Sequence, residues 1–195
     1  MNRILFILIA FSVPTFSQSQ SSYSQLEDLF QEWRTFENPP KLDGAPDYRK
    51  ATYDSRWLDF KNLQGKLESL DTVEWSIAQK ADWMIIWAEM NGYDFNHRIL
   101  KPWERDPAFY NSVLTYKSDV PAHEGPTPHA TTELWTYDFP LSKTEEARQV
   151  ADLRVIPSLN LQSKTNLTGN AKDLWIAGIR DIRTQSKVLE SIKSM

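Results

Sequence analysis

Six of the chain's eleven prolines fall between residues 93 and 141, at positions 102, 107, 121, 126, 128 and 140. Proline lacks the amide hydrogen a helix interior needs, and its ring clashes with the preceding turn, so no long helix can run through this stretch. Only a short one is predicted, near Pro107–Tyr116, with Pro107 at the first helical position. The same stretch carries Tyr93, Phe95, Trp103, Phe109, Tyr110, Tyr116, Trp135, Tyr137 and Phe139. A free linker would lack such aromatics, so the segment is predicted to be a loop anchored by its rings onto whatever the flanking chain builds.

Both flanks read as helix. Leu26, Leu29, Phe30, Trp33 and Phe36 recur at helical spacing and predict a helix over 24–37, stopped by Pro39-Pro40. Residues 38–54 form a loop with Asp43-Gly44 as a turn signal. A second helix is predicted over 55–70, with Trp57, Phe60, Leu63, Leu67 and Leu70 on one stripe. Asp71-Thr72-Val73-Glu74 reads as the cap of a third helix that runs to Asn91-Gly92. Val73, Ile77, Ala81, Met84, Ile85 and Ala88 make one face of that helix, and Trp75, Trp83, Ile86, Trp87 and Met90 cover much of the rest. A helix apolar nearly all round is expected to be buried, here as the hub of a bundle. Beyond the loop, Ser142-x-x-Glu145 is a capping box opening a helix that Pro157 interrupts, and Leu159, Leu161 and Leu167 follow. A last helix starts near Asn170 or Ala171, with the stripe Trp175, Ile179, Ile182, Leu189 and Ile192. It carries no stop signal before Met195, so residues 25–195 are expected to form a helical domain incomplete at its C-terminus. No strand-period segment appears. The predicted fold class is all-α, an irregular multi-helix bundle with a long Pro- and aromatic-rich loop, forming the N-terminal part of a larger helical protein.

Met1-Asn2-Arg3 followed by the apolar run Ile4–Val13 and the small residues Thr15 and Ser17 reads as a signal peptide over 1–17, and residues 18–24 as a flexible leader. The run is short of the ~20 residues that span a bilayer, so export to the periplasm or beyond is expected, with no membrane anchor. With no cysteine, disulfides, thiolate metal sites and cysteine nucleophiles are excluded. The formal charge of -4 and the absence of any basic run argue against nucleic acid as a partner.

Few residues suggest chemistry. His123-Glu124-Gly125-Pro126-Thr127-Pro128-His129 superficially resembles the His-Glu-x-x-His of zinc peptidases. Its histidines, however, are six apart, about 240° round a helix, and two prolines preclude that helix. His97 stands alone just past the third helix and reads as a packing residue, with a ligand-binding role as the other option. Four tryptophans, Trp33, Trp57, Trp75 and Trp175, fall on helical stripes. Trp103 and Trp135 lie in the irregular segment, where a ligand could stack. These three, His97, Trp103 and Trp135, are the candidate ligand-binding residues. No catalytic or metal-binding residue is assigned.

Ala81 to Asn91, followed by Phe95-Asn96-His97-Arg98-Ile99-Leu100-Lys101-Pro102-Trp103-Glu104-Arg105-Asp106-Pro107-Ala108-Phe109-Tyr110, is similar to the N-terminal half of the bacterial domain-of-unknown-function 885 family. So are Leu153 to Leu159, Asn166-Leu167 and the Trp175–Asp181 helix. The resemblance implies an exported, largely α-helical protein several hundred residues long that resembles helical zinc metallopeptidases. In that family the presumed zinc motif, a His-Glu pair followed by Pro-Gly-His, lies far C-terminal of the matched region, and no position here corresponds to it. This chain is then expected to be a non-catalytic N-terminal segment, partnered by a missing C-terminal catalytic part that holds the zinc and takes a peptide substrate. Two other readings stand beside it: a free-standing Trp-rich ligand- or peptide-binding module, and a small metal-dependent hydrolase built on His97, His123 and His129.

Overall fold

The computed structural model describes residues 16–116 and 130–192. Most of them are helical: α1 (Phe16–Glu37), α2 (Lys50–Glu68), α3 (Ile77–Phe95), the short α4 (Pro102–Arg105), α5 (Lys143–Leu153), α6 (Val155–Asn166) and α7 (Lys172–Ile192). Two-residue strands β1 (Lys41–Leu42) and β2 (Ala45–Pro46) close a hairpin, and β3 (Val113–Leu114) pairs in parallel with β4 (Thr132–Glu133). The all-α expectation holds.

The hairpin turns on Asp43 and Gly44, both with positive φ (50° and 83°), the geometry that an Asp-Gly pair favours. Helix α2 begins five residues earlier than its apolar stripe suggested. Asp47, buried just before it, accepts from the Arg49 amide, the Arg49 guanidinium and the Thr52 hydroxyl, and these bonds hold its carboxyl down at about 2.

The N-terminal half is a three-helix unit. Its core joins Leu26, Leu29 and Trp33 of α1, Phe60, Leu63 and Leu67 of α2, and Ile86 and Met90 of α3, with Trp75 closing one end. Helix α1 continues through residues 18–24, expected as a flexible leader, because neither Pro nor Gly breaks it there and Ser22 and Tyr23 find partners. Tyr23 packs edge-on against Trp75 at 5.6 Å and donates to Asp82, and the Trp75 indole donates to Ser22 Oγ.

Helix α3 departs from expectation at both ends and in its burial. It opens at Ser76, whose hydroxyl accepts from the Gln79 amide while Gln79 Oε1 accepts from the Ser76 amide. Asp71 instead accepts from Val73 N–H in a turn that lets Trp75 point inward. Gly92 does not end the helix, which runs to Phe95 and passes into a π turn over Asn96–Leu100 closed by Lys101 at φ 47°. Nor is α3 a buried hub: Ile86 and Met90 are buried, but Ile77, Met84, Ile85 and Trp87 are exposed, because α1 and α2 cover only one side of it.

The C-terminal half packs a second core. Tyr48 and Ala45 from the hairpin region, Trp103, Phe109 and Tyr110 from the Pro-rich segment, and Leu159 of α6 form it. The segment is anchored by its rings as the sequence predicts, and Pro107 opens a single 3-10 turn, Pro107–Tyr110. Helix α7 lies across that turn, and a Cβ at Gly178 would sit 2.6 Å from the Ala108 nitrogen, so only glycine permits the approach. The capping box at Ser142–Glu145 forms as read, and Pro157 falls in the first turn of α6.

What docks the irregular backbone onto these helices is amide side chains. Gln162 accepts from Tyr48 N–H (2.7 Å) and donates to Pro46 O (2.9 Å). Gln185 accepts from both Ser112 N–H (2.7 Å) and Val113 N–H (3.0 Å). Val113 N–H also reaches Asn111 Oδ1 at 3.3 Å, so Gln185→Leu strips the acceptor from Ser112 N–H and leaves Val113 N–H the longer bond alone. Since an unsatisfied buried donor costs about 1–3 kcal/mol, the substitution should lower stability by about 1–3 kcal/mol in urea melts. The exposed control Lys187→Leu should change it by less than about 0.5 kcal/mol.

Candidate functional site

Of the three sequence-nominated residues, the structure brings two together. His97, in the π turn, and Trp103, in α4, have ring centroids 5.9 Å apart. Trp135 sits half-buried in a different element, the 3-10 turn Leu134–Thr136. Trp103 is only 4% exposed, so the expected stacking platform is instead a core residue, packed face to face on Tyr53 at 3.7 Å. His97 stacks on Trp57 at 4.2 Å, with Tyr93 and Tyr53 beyond. His123 and His129 lie outside the described residues.

The extra residue of the π turn swings His97 in over α2, and Lys101, in the left-handed region, turns the chain sharply so that Pro102 can start α4 and Trp103 can follow inward. π turns and strained non-glycine residues concentrate where geometry serves a function, and here both flank one imidazole. Beside it an open cleft of about 200 Å³ is lined by Lys50, Asp54, His97, Arg98, Lys101, Trp103 and Glu104. Lys50 pairs with Asp54 at 2.6 Å, and Arg98 pairs with Asp94. His97 Nδ1 and Trp103 Nε1 are buried without a hydrogen-bond partner among the described residues. Lys50 and Asp54 carry no local sequence signal, since they come to the cleft from a different helix, α2.

This chemistry is modest. Burial is the main influence on His97 and lowers its pKa below the usual value; Asp54 opposes that shift, and Lys101 reinforces it. The imidazole is therefore neutral at pH 7. Among the described residues no group of three His, Cys, Asp or Glu is placed to hold a metal ion. The zinc implied by the family resemblance does not fit here either: the cleft holds a single histidine, stacked on Trp57, and of its two carboxylates, Asp54 and Glu104, the first is already paired with Lys50. No catalytic step is derived from it.

The second feature of functional interest is the outside of α3. Trp83, Ile86, Met90, Tyr93 and His97, spaced by threes and fours, are buried or half-buried against α1 and α2. At about 100° per residue, the opposite side of the helix carries Ile77, Ala81, Met84, Ala88, Phe95 and Ile99. Every one of these is exposed, the four large ones between 52% and 89%. Ile85 and Trp87 flank the stripe, also exposed. Monomers rarely leave so long a contiguous apolar strip in water.

In comparisons with known proteins, the chain matches no family model, no curated protein and no solved structure.

The site generates one pH prediction. With its folded pKa depressed, His97 binds a proton less readily in the native than in the unfolded chain. The stability tied to its neutral form is fully present above about pH 6.5 and is lost as pH falls below that toward the folded value. The melting temperature should therefore drop on acidification from pH 7 to pH 5, and His97→Phe, which keeps a ring on Trp57, should flatten that slope.

Proposed function

We propose that this chain is a non-catalytic helical module that works by docking, and that the apolar outer face of α3 is its working surface. The observation that carries this is the division of α3 into an inner stripe that fills a core and an equally apolar outer stripe that is exposed. A solvated outer face would be polar; a helix apolar on two opposite sides fits a position between two packed bodies. The burial of Trp33, Trp75 and Trp103 weighs against the Trp-rich ligand-stacking module, since those rings are occupied by protein.

The resemblance to the domain-of-unknown-function 885 family supplies the setting. An exported protein of that kind would place peptide hydrolysis and its zinc in a separate C-terminal helical part, and this chain would contribute architecture. Among the described residues no helix is long and apolar enough to cross a membrane.

An apolar face must be wet or covered, and the test uses that. The purified protein should either bind an apolar fluorescent dye as a monomer or run as an assembly, and Met84→Lys with Ile85→Lys should abolish whichever is seen while preserving the helical circular dichroism. A wild-type monomer that binds no dye would overturn the docking reading, as would a double variant that fails to fold, because that would make the face part of the core.

A further inference from the structure

We infer that the partner of the α3 face is a second copy of this chain, lying antiparallel across it about a twofold axis at Ala88. The inference rests on the docking reading and adds the identity of the partner.

The argument is self-complementarity, which a twofold interface demands of its own surface. An antiparallel copy centred on Ala88 sets each residue against the one equally far beyond the centre. Ile77 then meets Ile99 of the other copy, Ala81 meets Phe95, Met84 meets Gly92, and Ala88 meets itself. Every one of these positions is exposed in the single chain. Large side chains face small ones on both sides of the axis, so Phe95 and Met84 have holes to enter. The alanine at the crossing permits the close end of the 8–10 Å range over which helices pack. A parallel pairing would instead set Phe95 on Phe95 and Ala81 on Ala81, leaving bulk against bulk and gap against gap.

Charge does not oppose this register. No ionisable residue lies on the stripe between Ile77 and Ile99. On one flank, the antiparallel copy brings Lys80 to the end where Asp94 and Arg98 of the other chain already form an ion pair. On the opposite flank, the neutral amide of Asn96 comes to Asp82. Glu89, nearest the axis, is turned inward, where it accepts from Trp33 Nε1 and from Arg34, so it adds no like-charge pair at the crossing. Trp87, 43% exposed and stacked on Trp83, stands beside the axis, where aromatic residues are favoured in interface centres. At their exposures, the large apolar residues of the strip and its flanks together present several hundred Å², approaching the roughly 800 Å² per partner of a standard interface.

The chain has no cysteine, so single introduced thiols report proximity without background. Under mild oxidation, Ala88→Cys should form a disulfide-linked dimer on the order of a hundredfold faster than the exposed control Asp59→Cys, as expected when docking raises the local thiol concentration. Ile77→Cys mixed with Ile99→Cys should cross-link, and Ile77→Cys alone should not. Sedimentation should give twice the chain mass for wild type and the single mass for Met84→Lys, with helical content unchanged. A wild-type monomer that binds an apolar dye would overturn the twofold proposal while leaving the docking reading intact. A monomer that binds none would overturn both. Rapid self-linking of Ile77→Cys would overturn the antiparallel arrangement.

Discussion

The fold depends on a row of stacked rings that joins its two cores. Phe60 and Tyr93 belong to the three-helix unit, Trp57 stacks on His97, and Tyr53 stacks on Trp103, which belongs to the second core. Helix α2 supplies one side of this row along its length, so it is the element both halves share. Aromatic pairs are worth about 0.5–1.5 kcal/mol each beyond the area they bury. Placed in series, they fix the angle at which the chain leaves α3. The π turn and the left-handed Lys101 follow from that requirement: the backbone distorts where His97 and Trp103 must both face α2.

The same row explains why α3 is one-sided. Its inner residues are committed to α1, α2 and the rings, while the Pro-rich segment that follows is drawn down toward α6 and α7 by Trp103, Phe109 and Tyr110. Among the described residues, Ile77, Met84, Phe95 and Ile99 on the outside of α3 stay exposed. The exposed strip follows from where the second core lies.

In the second half, glutamine and asparagine do the work that a sheet would do elsewhere. The segment around Tyr48 and the one around Ser112 expose backbone groups that two-residue strands cannot satisfy. Gln162, Gln185 and Asn166 meet them, Asn166 through the Tyr48 carbonyl and the Tyr110 hydroxyl. Buried amides of this sort carry two donors and an acceptor and tolerate irregular geometry, which suits a chain whose prolines rule out regular pairing.

Local signals were enough for much of this protein. The prolines dictated an irregular middle, the three-and-four spacing of apolar residues dictated the helices around it, and Asp43-Gly44 and Ser142-x-x-Glu145 marked a turn and a cap, because each of these acts within a few residues of chain. His97 and Trp103 were legible as candidates for the same reason, as a lone imidazole and a tryptophan outside any stripe. What a residue is buried against is not a local property. That Trp103 is core, that Lys50 and Asp54 reach His97 from another helix, that Gln185 caps two distant amides, and that α3 is covered on one side only were decided by the packing of elements far apart in sequence. An all-round apolar pattern says that a helix has two faces to bury, and only the tertiary arrangement determines which of them the chain buries itself.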